Sequence, residues 1–143
     1  MIQQPFSVFS FPLLLIALAS FTVGCEHVGP LDPNAIQPTF SSIQANIFDN
    51  SCAVSGCHAG GGAPWGLDLS ASNSYANLVN ATAGSKPGSN RVSPGDADNS
   101  YLVQVLEGTN GITVPQMPLG RDALPDEQIQ AIRDWINAGA ENN

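Results

Sequence analysis

Apolar residues fall into one unbroken run near the start of the chain and several short helical stripes further on. Phe11 to Ala19 (FPLLLIALA) is continuous. Its length suits the hydrophobic segment of an export signal and is too short to span a bilayer. Glu26 to Pro38 (EHVGPLDPNAIQP) has no apolar period and reads as a tether punctuated by Pro and Gly. From Thr39 a helical period begins, with Phe40, Ile43, Ile47 and Phe48 at i, i+3, i+7 and i+8. This predicts a short amphipathic helix with Thr39 or Ser41 as its N-cap, running directly into a segment containing Cys52, Cys57 and His58. Leu67-Asp68-Leu69 predicts a short extended piece, and Tyr75, Leu78 and Val79 predict one or two helical turns. Residues 80 to 97, mostly Gly, Pro, Ser, Asn and Asp, predict a loop. Asp98 or Asn99 is then placed to cap a helix whose apolar set is Tyr101, Leu102, Val105 and Leu106, with Gly108 as its C-cap. A polar loop carrying Pro115, Met117 and Pro118 follows. The last helix has Pro125 in its first turn, Asp126 and Glu127 at its positive end, Ile129, Ile132, Trp135 and Ile136 on its inner side, and Gly139 beyond it. The expected fold class is mainly α, a small helical domain with long ordered loops.

At 143 residues the chain is sized for one domain. Its formal charge of −8, from 4 Lys+Arg against 12 Asp+Glu, excludes a nucleic-acid partner, because no basic patch can be assembled from so few cations. From Cys25 onward the aromatics are only Phe40, Phe48, Trp65, Tyr75, Tyr101 and Trp135, set among many Gly and Pro. A core this thin is expected to need a disulfide, a metal or a cofactor to order the loops around it.

Phe21-Thr22-Val23-Gly24-Cys25 resembles the lipobox of bacterial lipoproteins. The resemblance implies a signal peptide over residues 1–24 and Cys25 as the lipid-bearing first residue of the mature protein, with residues 25–38 as tether. Thr22 stands where such motifs normally have Leu, and residues 2–10 contain no Lys or Arg. Ordinary secretion with cleavage nearby is the alternative, and both readings export the chain. Three Cys are awkward in an exported protein unless one is occupied, and acylation of Cys25 would leave Cys52 and Cys57 as a pair. More than one acyl chain on such a terminus gives stable anchoring. The expected location is the periplasmic side of a bacterial envelope membrane or the cell surface, lipid-anchored.

The candidate chemistry is concentrated in Cys52-x4-Cys57-His58. In c-type haem attachment two thiols add across the vinyl groups on one edge of the porphyrin, and the imidazole directly after the second thiol lies under the iron. The usual spacing has two intervening residues, so Ala53, Val54, Ser55 and Gly56 must bulge, with Gly56 supplying backbone freedom. A haem held by one His needs a second axial group, and apart from the initiator the sequence offers one Met, Met117, 59 residues after His58. Its flanking prolines stiffen the backbone around the sulfur. An isolated Met is more often a gap-filling core residue, but this one stands in a polar loop.

With these residues together the chain is similar to c-type cytochromes, through the first helix, Cys-x4-Cys-His, the loop-rich middle, the Met-Pro loop and a final helix ending Trp-Ile-x-x-Gly-Ala. More narrowly, Gly66-Leu67-Asp68-Leu69, Arg91-Val92-x-Pro94-Gly95-Asp96, Asn99-Ser100-Tyr101-Leu102-Val103 and Met117-Pro118-Leu119-Gly120 resemble single-haem domains with widened cysteine spacing, planctomycete-type cytochromes among them. The resemblance implies a cytochrome c-like domain over residues 39–141 holding one covalent haem c. Cys52 and Cys57 would be its thioether attachments, His58 the proximal and Met117 the distal iron ligand, with the first and last helices packed together at one haem edge. Arg91 and Trp65, in family-like loops, are candidates to bind the haem propionates. The implied function is an electron carrier rather than an enzyme, passing single electrons between envelope redox partners. The acidic composition predicts partners with a basic docking patch and salt-sensitive association.

Other readings compete. Two Cys five apart in an exported chain are most simply a disulfide, giving a disulfide-stapled lipoprotein that binds a ligand without any cofactor. A haem whose Met117 bond is displaced by a small gas would make a sensor. Zinc could take Cys52, Cys57 and His58, but the remaining His is His27 in the tether, so a closed site lacks a fourth ligand. Asp96-x-Asp98-x-Ser100 with Glu107 matches a calcium-loop ligand comb, but Tyr101 stands where that loop needs Gly, and helix capping by Asp98 is the expected role of these acids.

Overall fold

The computed structural model describes Met1, residues 35–109 and residues 111–143. The expected signal peptide, the lipid-bearing Cys25 and most of the tether lie outside the described residues. Among those described, no strand forms and no helix is long and apolar enough to cross a membrane. Among the described residues the domain is mainly helical, with four helical segments and a short 3-10 turn at Pro64–Gly66 joined by long irregular segments.

The first helix, α1, spans Phe40–Ile43, and Thr39 caps it, its Oγ1 accepting from the Ser42 N–H at 3.3 Å. It continues without a break as a wider π-helix over Gln44–Cys52, closed at its end by the Ala53 N–H donating to Phe48 O at 2.7 Å. The Asn50 side-chain amide donates to the Ala45 and Asn46 carbonyls, and the Asn46 amide to Ser42 O, giving the widened turn polar partners that a tighter helix would not need. The predicted stripe is buried in full, and Cys52 packs against the same core from the end of the π-helix.

Helix α2 (Ser74–Leu78) is tied to this segment by Gln44, a buried polar side chain. Its Nε2 donates to Leu69 O at 3.0 Å and Asp49 Oδ1 at 2.7 Å, while its Oε1 accepts from Ser74 Oγ at 2.6 Å. A buried amide so fully paired costs little to bury and joins three segments. Phe40 does the same for the apolar side, meeting Tyr75 edge-on at 5.1 Å, Trp135 at 5.4 Å and Phe48 at 6.4 Å. The chain end closes over it. Trp135 Nε1 donates to Glu141 O, Tyr75 Oη to Ala140 O, and Asn143 accepts from the Phe40 and Ser41 amides. Ile36 also packs on the core, so packed structure reaches past residues 39 and 141.

Helix α3 spans Tyr101–Glu107 and ends at Gly108 in the left-handed conformation (φ +66°), as its sequence predicts. Its start is not as predicted, because neither Asp98 nor Asn99 caps it. Ser100 precedes the helix and gives it no side-chain bond. Instead the 80–97 loop supplies backbone acceptors, Asn90 O for the Tyr101 N–H and Arg91 O for the Leu102 N–H. With those donors satisfied by the loop, Asp98 is free to pair with Arg133 on helix α4 (Asp126–Asn137), which also bonds Glu107 at 3.0 Å. The inner face of α4, Ile132, Trp135 and Ile136, is buried as expected.

Candidate functional site

A cavity of about 310 Å³ opens between the main core and a smaller cluster formed by Ala83, Tyr101 and Val105, within the volume range of small-molecule sites. Its walls come from the end of the π-helix, the segment through His58 to Leu69, the 83–85 turn, the inner face of α3 and the 114–121 loop. Cys52, Cys57, His58, Trp65, Arg91 and Met117, separated by up to 65 positions in sequence, all line it. The lining is dominated by Leu, Val, Pro and aromatic side chains.

The two cysteines are carried on a closed loop. The Cys57 N–H donates to Val54 O and the His58 N–H to Cys52 O, both at 3.0 Å, and Gly56 makes the turn at φ +81°. The four extra residues are therefore taken up by a turn that returns His58 to the helix end. Both cysteines are free thiols, Cys52 half-buried and Cys57 exposed. Burial pushes the Cys52 thiol up to about 11, opposed by the nearby Arg121 guanidinium and reinforced by Cys57.

His58 is held from both sides of its backbone and through its ring. Its carbonyl accepts from the Leu69 N–H at 2.8 Å, and Nδ1 lies 3.0 Å from Leu67 O. A carbonyl only accepts, so Nδ1 carries a proton, which leaves Nε2 as the nitrogen that can offer a lone pair. A backbone carbonyl at the far nitrogen is how metal-binding imidazoles are commonly oriented. The Gly-rich loop after His58 is anchored by Asp68, whose carboxylate accepts from Ser70, Asn73 and the Gly60 N–H. These bonds, those from Ser70 first, hold it below the usual carboxylate range.

Met117 is positioned by its own N–H donating to Val105 O at 2.9 Å and by the Gln116 amide donating to Leu106 O at 2.8 Å, both on α3. The loop before it is pinned by Thr113, whose N–H donates to Tyr101 Oη. Arg91 donates to Asn77 O at 2.8 Å and Trp65 O at 2.7 Å, which fixes its guanidinium in the cavity wall and leaves other N–H groups unused. Trp65 adopts φ +58°, unusual for a bulky residue, and is 63 % exposed at the mouth. It is not a core aromatic, and it stands in the middle of a short 3-10 turn, Pro64–Gly66, whose helical dihedrals it breaks. Gly84 packs on its backbone, where a Cβ would meet Trp65 O at 3.1 Å.

Sequence reasoning missed two kinds of wall residue. Tyr101, Val105 and Leu106 read as the core face of a helix, and they are, but the same face borders the cavity. Arg121 carries no motif and lies in a polar loop; its position four residues after Met117 was the one available signal. Among the described residues, no three His, Cys, Asp or Glu side chains converge into a cation site.

Comparison of the chain with protein-family models, curated proteins and solved structures returns no match. The arrangement itself offers two nucleophilic sulfurs, an oriented imidazole and a thioether around one apolar space. That donor set fits an iron porphyrin, with the sulfurs and the imidazole on one continuous segment and the thioether on a separate loop.

Proposed function

We propose that this chain is an exported monohaem c-type cytochrome, lipid-anchored through Cys25, that carries single electrons between envelope redox partners. The observation that carries the proposal is the convergence of Cys52, Cys57, His58 and Met117 on one apolar cavity, with His58 Nδ1 committed to Leu67 O. Cys52 and Cys57 would hold the group covalently through their sulfurs. His58 Nε2 and Met117 Sδ would hold its iron, and a thioether together with an imidazole would favour the reduced form. When bound, the haem supplies a one-electron Fe(III)/Fe(II) couple. The apolar lining of the cavity would face the group, and Arg91 and Trp65 are the candidates to bind its propionates. With His58 and Met117 both given to the iron, the role this reading supports is transfer rather than turnover.

The test is an absorption spectrum and intact mass of protein made in a host with c-type maturation. Wild type should show sharp reduced bands, a Met-to-iron band and a mass raised by one haem. Met117→Ala should lose the Met-to-iron band, and Cys57→Ser one covalent attachment. A colourless wild type whose mass is lower by two hydrogens would identify the disulfide-stapled binding lipoprotein instead.

A further inference from the structure

Asn77 is half-buried on α2 and does not line the cavity, yet it is bonded to the segment that holds His58 at two points. The ring of His58 donates from Nδ1 to Leu67 O at 3.0 Å, and its backbone carbonyl accepts from the Leu69 N–H at 2.8 Å. Between those two contacts stands one residue, Asp68. Its carbonyl belongs to the same peptide unit as the Leu69 N–H, and it accepts from Asn77 Nδ2 at 2.9 Å. A peptide unit is planar, so a bond at its oxygen and another at its N–H fix its orientation. The next unit is fixed in the same way. Leu69 O accepts from Gln44 Nε2, and the Ser70 N–H donates to Asp68 Oδ1, both at 3.0 Å. The Leu67 carbonyl is thus carried at the edge of two pinned peptides, and its direction is left to the two backbone torsions of Asp68.

The helix that presents Asn77 is itself braced. At its start Ser74 Oγ donates to Gln44 Oε1 at 2.6 Å, and at its end Leu78 O accepts from the Val92 N–H at 3.1 Å. A helix of five residues has little stability of its own, so these bonds decide where Asn77 stands. Hydrogen bonds in series also polarise one another. Asn77 donates into the Asp68 carbonyl, and the same peptide donates onward to His58 O, so a donor at Asn77 strengthens the grip on His58.

We infer that Asn77 is a positioning residue for His58: its amide, acting through the Asp68–Leu69 peptide, aims Leu67 O at the imidazole and sets the strength of the bond from Nδ1. The inference rests on the haem reading for what His58 does, and on bonds made outside the cavity for how His58 is held. Its chemical consequence falls on Nε2. A firm bond at one ring nitrogen makes the other a better electron donor.

The test is made on the reduced protein from a host with c-type maturation, with the nitrogens of His58 isotopically labelled. Asn77→Leu keeps the approximate shape of the side chain and removes its donor, whereas Asn77→Gln keeps a donor. The Nδ1 proton of His58 should exchange with deuterium about threefold to tenfold faster in Asn77→Leu, the change expected when one hydrogen bond of a coupled set is lost. Asn77→Gln should lie closer to wild type. The reduction potential of Asn77→Leu should be higher than that of wild type, because a less basic imidazole favours oxidised iron less. A merely structural residue moves neither quantity. Asn137→Ala, which removes the acceptor of the Ala97 N–H at the C-terminal end of α4, should leave both unchanged whatever it costs in urea stability. Equal exchange in Asn77→Leu and wild type, a potential that does not rise, or an effect of Asn137→Ala as large as that of Asn77→Leu would overturn the inference. A colourless wild type would instead end the haem reading. In that chain the ring nitrogens report the same grip: with the imidazole neutral, the ratio of Nδ1–H to Nε2–H tautomers should fall about threefold to tenfold in Asn77→Leu, and an unchanged ratio would overturn the positioning role.

Discussion

The loop that carries Met117 is held by a three-group relay whose protons can be assigned. Thr113 Oγ1 donates to Ser85 O at 2.7 Å, which uses its one proton. At the 2.8 Å contact between Tyr101 Oη and Thr113 Oγ1 the phenol must therefore donate, and the same phenol oxygen accepts from the Thr113 N–H at 3.0 Å. Tyr101→Phe keeps the buried ring and removes both bonds. At about 0.5–1.5 kcal/mol for each, the expected cost is about 1–3 kcal/mol. Thr113→Val removes the hydroxyl, losing the bond to Ser85 and the bond from Tyr101 while keeping the N–H. The Tyr101–Thr113 hydroxyl contact is lost in both variants, so the double variant should fall short of the sum by about 1 kcal/mol. Urea unfolding measures these values. Hydrogen exchange locates them: the amides of Thr113 and Met117 should open about tenfold more readily in Tyr101→Phe for each 1.4 kcal/mol lost locally. The Ile132 amide in α4 should change only as global stability does. Strictly additive variants, or a Met117 amide exchanging no faster than the global change requires, would refute the relay.

Four further outcomes follow from the packing. In the chain without haem, Cys52, half-buried and with its thiol raised to about 11, should be alkylated by iodoacetamide at pH 8 more slowly than exposed Cys57, the difference vanishing in denaturant; peptide mass mapping checks the order. Because that raised value means the folded state holds its proton longer than the unfolded one, the same thiol makes stability fall as pH climbs from about 9 towards 11, readable as a declining urea midpoint. Arg133→Ala, which breaks the pairs to exposed Asp98 and to Glu107, should cost no more than about 1 kcal/mol and less still in 1 M salt. Trp135→Ala empties a fully buried site against Phe40 and should cost about 3–5 kcal/mol, with Trp135→Phe far milder.

Helical periodicity identified the buried face of α1 in full and that of α4 but for Ile129, which is only half-buried, because residues spaced three and four apart share one side of a helix. Gly108 was legible for a related local reason, since a left-handed C-cap favours the residue without a Cβ. The cap of α3 was not. Asp98 and Asn99 carry the right side chains, but the acceptors that arrive belong to Asn90 and Arg91, whose carbonyls reach the helix only because the 80–97 loop folds back over it. The widening of the first helix into a π-helix was equally hidden, as it depends on side-chain amides at Asn46 and Asn50 bonding carbonyls a turn away.

What the order of residues determined by itself was local: the helical stripes, the turn at Gly56, and a set of sulfur and imidazole groups whose chemistry is written in their adjacency. Which of those groups share a space was decided by tertiary structure. Met117 is brought to the cavity that His58 also lines by a backbone bond to Val105 in another element, and Arg91 faces the same cavity because two distant carbonyls hold it.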